Sequence, residues 1–126
     1  MSNATDWRRW VAYAEDDFAV ALMLLPDRPR HASFQLQQSA EKLLKATLIA
    51  RRQEPERTHD LVLLVLALDA TLLVDNRVVS AARLLTLGGT RSRYPDRFAE
   101  ISAEEGQALL EAARVVRDFA QHHLPT

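Results

Sequence analysis

Apolar residues recur along this chain at spacings of three and four and do not alternate with polar ones, the pattern of helices that each bury one face. The first such run follows Thr5 or Asp6 as N-cap and carries Trp7, Trp10, Val11, Ala14, Phe18, Ala21 and Leu25. Pro26 and Pro29 stop it. A second helix, from about Arg30 to Arg52, turns Ala32, Leu36, Leu43, Leu44, Thr47 and Ala50 inward and sets Glu41 four residues before Lys45. The polar stretch "RRQEPERTHD" (51–60) separates it from a third helix, which Thr58 is expected to cap and which runs to about Leu72. Asn76 is the expected cap of a fourth, Arg77 to about Leu87. Gly88 and Gly89 should end it, one of them left-handed. After the loop "GGTRSRYPDR", Ser102 and Glu105 form the S-x-x-E box that starts a fifth helix, with Leu109, Ala112, Val116, Phe119 and His123 on its inner face. The pattern predicts an all-α protein, a single up-and-down bundle of about five helices forming one domain, 1–126.

Composition narrows the chemistry. The 126 residues suffice for one core without staples, and the absence of cysteine excludes disulfides, thiolate metal sites and a cysteine nucleophile. The longest apolar run, 61–74, is broken by Asp69 and Thr71 and falls short of the roughly 20 residues that span a bilayer. No basic, apolar, small-residue leader opens the chain, so a soluble cytoplasmic protein is expected. There is no zinc-ligand spacing, glycine-rich phosphate loop or nucleophile elbow, and neither metal nor cofactor is expected. Net charge is only −1, but residues 77–97 hold five arginines against one acid, Asp96, which makes that window +4 and the remainder −5.

Three stretches carry candidate chemistry, each with a structural reading beside the functional one. "FQLQQSAEKLLKATL" (34–48) places Gln37, Glu41 and Lys45 on successive turns, a polar face suited to satisfied hydrogen bonds between helices. "THDL" (58–61) puts His59 in the expected first turn of the third helix. "SRYPD" (92–96) offers Arg93 and Tyr94 between Arg91 and Arg97, a set that can clamp phosphate and stack a base or anchor a loop.

The order of these three motifs resembles the HEPN domain family, named for higher eukaryotes and prokaryotes, and in particular a branch with an RYPD-like motif. The resemblance runs from Trp7 to His123. It implies a helical bundle that commonly forms homodimers, is linked to RNA or nucleotide binding, and is often encoded beside a minimal nucleotidyltransferase in toxin-antitoxin or defence systems. Several branches are metal-independent ribonucleases with an arginine and, four to six residues on, a histidine. "RDFAQH" (117–122) fits that spacing with Arg117, Asp118 and His122, and because residues five apart diverge on one helix the pair would have to meet at the dimer interface. The implied mechanism has the histidine take the proton of a ribose 2′-hydroxyl while the arginine stabilises phosphate charge. A protein-interaction role beside a nucleotidyltransferase is the other possibility the resemblance leaves open.

Overall fold

In the computed structural model, which describes residues 6–91 and 100–125, the chain folds into five helices: α1 (Trp7–Leu24), α2 (Pro29–Ala50), α3 (Leu61–Asp69), α4 (Asn76–Arg91) and α5 (Ala103–His123). Asp6 caps α1 by accepting from the Arg8 N–H. Pro29, expected only as a stop, also occupies the first turn of α2, where its missing N–H has no partner to lose. The Ser102/Glu105 capping box of α5 is present in both directions.

Helix α2 packs against each of the other four helices. Leu36, Leu44 and Leu48 meet Leu61, Leu64, Val65, Leu68, Leu85, Leu109 and Val116 in one core. Polar bonds fix its register to the neighbours: the Ser39 hydroxyl donates to the Ala14 carbonyl of α1 at 2.8 Å, and Lys42 pairs with Asp17. The interhelical interface expected for α2 thus lies within the chain, since most of its length is buried there.

Three boundaries differ from expectation. Helix α3 is capped by Asp60, whose Oδ1 accepts from the Val62 N–H at 2.9 Å, while the Thr58 hydroxyl accepts from the Asp60 N–H. His59 therefore lies before the helix. Asp69 ends α3 by accepting from the Val74 N–H. Asp75, rather than Asn76, caps α4, accepting from the Arg77 N–H at 2.7 Å.

Gly88 and Gly89 do not end α4, which continues to Arg91, and neither has a positive φ. Both are buried for a different reason, close approach. A Cβ on Gly88 would stand 2.8 Å from a methyl of Leu109, and one on Gly89 2.8 Å from the Cγ of Gln37. The left-handed residue is instead Arg52 (φ 62°), just past α2. There the Gln53 N–H reaches the Leu48 carbonyl and the Arg52 N–H that of Ile49, a Schellman closure without glycine.

Two predictions follow from these contacts. Gly89→Ala gains about 1 kcal/mol of helix propensity but forces the Gln37 stem aside, and should lower stability by about 1–3 kcal/mol in urea unfolding, more than Gly88→Ala, which meets only methyl ends. Asp75→Ala should cost about 1 kcal/mol and Asn76→Ala close to nothing in the same assay.

Candidate functional site

Gln37, Glu41 and Lys45 lie four residues apart on α2, and the structure joins them with His59 in one network. The Glu41 carboxylate is buried. Its Oε1 accepts from Gln37 Nε2 at 3.1 Å and meets His59 Nδ1 at 2.8 Å; its Oε2 accepts from Lys45 Nζ at 3.1 Å. Gln37 Nε2 also donates to the His59 carbonyl at 3.0 Å, so the loop before α3 is held by both backbone and ring. An ionised carboxylate with a cationic donor on its other oxygen only accepts, which makes Nδ1 the protonated nitrogen of the neutral ring and leaves Nε2 with the lone pair. The His59 side chain is 66% exposed and that of Glu41 7% exposed, a buried carboxylate orienting a surface histidine.

Beside this network lies a groove of about 610 Å³, within the usual range of ligand sites. Trp10 of α1 and Lys45 and Ile49 of α2 line it, and the segment after α2 supplies Arg52, Gln53, Glu54, Pro55, Glu56 and Arg57. Lys45 Nζ is 5.9 Å from the centre of the Trp10 ring. Gln53 is braced by bonds to the Ala67 carbonyl and the Thr71 hydroxyl, which ties this loop to the end of α3. An aromatic face with nearby guanidinium groups accommodates a planar anionic ligand. The sequence reading missed Trp10, Arg52 and Arg57: the first served as a core residue and the others as part of a polar linker. An aromatic residue on α1 and paired arginines around Pro55 were the available signal.

Arg117, Asp118 and His122 are not brought to one place. Arg117 forms a two-pronged pair with Glu15 of α1, at 3.2 and 2.9 Å, and lies over the Phe18 ring at 4.9 Å. The Glu15 bond raises its pKa, against a smaller lowering by burial. Asp118 and His122 line a separate groove of about 220 Å³ with Arg77, Asp75, Phe119 and His123. Five residues on a helix turn through about 140° beyond a full revolution, which puts Arg117 and His122 on different faces. Arg93, Tyr94 and Arg97 lie outside the described residues, as does the side chain of Arg91. Among the described residues, no group of three or more His, Asp or Glu side chains could hold a metal ion, and no helix is long and apolar enough to cross a membrane.

A five-helix bundle with a central polar α2 and a groove beside it defines a small all-α domain. Residues 7–123 match the HEPN domain, and the chain belongs to that family. It is similar to the crystal structure of TT1696 from Thermus thermophilus, at 27% identity and a TM-score of 0.85 over 95% of this chain and 99% of the other. ST0689, an archaeal HEPN homologue, shares the fold at 22% identity and a TM-score of 0.76, over 97% and 98% of the two chains. No curated protein matches.

Two measurements probe these arrangements. Glu41→Ala leaves Lys45 without its carboxylate in a buried position and should destabilise the fold by about 3–5 kcal/mol in urea unfolding. Burial first, then the charges of His122 and Arg51, lowers the His123 pKa below the ordinary 6.5. A folded value below the unfolded one means that this stability is present above pH 6.5 and is lost as pH falls through the folded value. An NMR titration should therefore place the His123 midpoint below 6.5, and His122→Ala should move it upward.

Proposed function

We propose that this HEPN domain binds RNA or a nucleotide. The observation that supports the reading is the groove formed by Trp10, Lys45, Arg52 and Arg57. The indole offers a face for a base, the two arginines offer forked donors to phosphate, and Glu54 and Glu56 offer acceptors for ribose hydroxyls. The backbone of Arg52 favours the same reading. A non-glycine residue at φ 62° costs about 1–2 kcal/mol, and glycine would close the helix without that cost. Such strain is retained where the side chain is used.

In this proposal Arg91, Arg93, Tyr94 and Arg97 add phosphate and base contacts. A homodimer and a minimal nucleotidyltransferase of a toxin-antitoxin or defence system are the partners that family membership suggests. Leu63 and Leu66 of α3 and Leu84 and Leu87 of α4 offer exposed apolar contacts for them. A ribonuclease centre of Arg117 and His122 at the dimer interface is the alternative reading, and it requires Arg117 to leave Glu15 and the two side chains to meet across two copies of the chain.

Fluorescence anisotropy with a short single-stranded RNA tests the reading. Affinity should fall roughly tenfold between about 50 and 200 mM salt, as released counterions require. Arg57→Ala and Trp10→Ala should weaken binding at fixed salt. Arg52→Gly should weaken it while raising unfolding stability by about 1 kcal/mol, a pairing of effects that a merely structural arginine would not give. Binding that ignores both salt and these substitutions would overturn the proposal.

A further inference from the structure

We infer that Lys45 is a phosphate contact of the groove, and that Glu41, which does not line the groove, sets the affinity of that contact and carries its occupancy to His59. The inference rests on the nucleotide-binding reading and adds the device that tunes it. Three observations carry it.

The first is the spare capacity of Lys45. An ammonium has three N–H donors. The Lys45 side chain is only 11% exposed, and among the described residues its hydrogen-bond acceptor is Glu41 Oε2, at 3.1 Å. Its Nζ stands 5.9 Å from the centre of the Trp10 ring, and both residues line the groove. Donors of a largely buried cation are thus uncommitted beside the indole face. A phosphate joined to a base stacked on that face brings anionic oxygens to them.

The second is the uneven loading of Glu41. Its Oε1 is met by both Gln37 Nε2 and His59 Nδ1, whereas its Oε2 is met by Lys45. The carboxylate is 7% exposed, so water screens it little, and its charge opposes the field that the ammonium offers an anion. Phosphate on Lys45 shares that cation between two anions. More of the Glu41 charge then falls on His59 and Gln37.

The third is where the connections lead. The ring and carbonyl of His59 tie the segment 51–60 to α2, and that segment supplies Arg52, Glu54, Glu56 and Arg57 to the wall of the groove. Of the four residues in the Glu41 network, Lys45 is the one that also lines the groove, so the coupling runs through it. Filling the groove strengthens the bond from Glu41 to His59 and steadies the wall. By reciprocity, whatever tightens the hold of Glu41 on Lys45 weakens phosphate binding, and whatever relaxes it strengthens binding.

The probes are adenosine and its 5′-monophosphate, titrated into the whole protein while NMR follows the Trp10 indole and the His59 ring. Both compounds should move Trp10, and only the monophosphate should move His59. In Lys45→Gln, saturating monophosphate should still move Trp10 and leave His59 unmoved. Glu41→Gln should bind the monophosphate about fivefold more tightly, with adenosine unchanged. His59→Ala, which leaves Glu41 to lean harder on Lys45, should bind it more weakly; mere loosening of the loop would weaken both variants. A thermal melt shows that each variant is folded, and should Glu41→Gln not fold, the comparison of the two compounds in the parent and in Lys45→Gln decides. A Trp10 response to the monophosphate without one at His59, a His59 response that survives in Lys45→Gln, or a folded Glu41→Gln that binds no more tightly would each overturn the inference and leave the groove as a binding site. If neither compound moves Trp10, the inference and the groove reading fall together.

Discussion

Burial of the Glu41 carboxylate on the central helix is the constraint from which much of this structure follows. An ionised carboxylate taken out of water costs several kcal/mol unless donors replace its hydration, and an i,i+4 lysine alone leaves one oxygen short. Gln37 and Lys45 come from the same helix, but His59 is 18 residues away along the chain. The carboxylate is fully satisfied only when the segment 51–60 folds back over α2 and delivers the histidine together with its carbonyl, which takes the Gln37 amide. A local charge on one helix therefore specifies a long-range loop conformation.

The consequences spread through Gln37. Its amide is committed to Glu41 and His59, so its stem cannot move, and α4 crosses that stem closely enough that only glycine fits at position 89. Helix α4 in turn supports α3, whose first N–H, at Leu61, donates to the Thr86 hydroxyl. Asp60 caps the same end. Loop, α3 and α4 are thus registered to one polar cluster inside an otherwise apolar packing, an arrangement that favours a single conformation over slippage of the helices. The groove is a by-product of the same folding-back: Arg52 must turn left-handed to send the chain toward α3, and its side chain then lies with Arg57 and Trp10 around one opening.

Periodicity was enough to predict the helices, because three-and-four spacing reports a buried face directly, and the Ser102/Glu105 box and the Asp6 cap were readable from local chemistry. The misses share a cause. Gly88 and Gly89 look like a helix end to any local rule, and what keeps α4 going is a tertiary contact with Leu109 and Gln37 that no local rule contains. Thr58 stands two residues before Asp60 and Asn76 just after Asp75, each aspartate with a better-placed acceptor, and a one- or two-residue choice between caps is decided by the backbone around them. Gln37, Glu41, Lys45 and His59 were readable as a candidate polar face, since spacing puts three of them on one stripe. That His59 completes the set while lying outside the helix depended on the loop. Trp10, Arg52 and Arg57 were invisible as a group because the opening they share is made by a left-handed arginine, a conformation no sequence pattern announces.

The arginine and histidine near the chain end show the opposite case, a pattern plain in sequence that the three-dimensional arrangement divides. Spacing along a helix constrains direction: residues five apart diverge, whereas residues four apart, such as Asp118 and His122, share a face and line one groove. Arg117 follows its own face to α1, where Glu15 takes two of its donors and Phe18 covers its plane. A guanidinium so engaged braces α5 against α1, and recruiting it for phosphate would mean breaking a bidentate pair. Membership of the family, which residues 7–123 establish, carries the bundle to this chain. Of Arg117, His122 and His59, it is His59 that a buried internal carboxylate orients while its own side chain stays exposed.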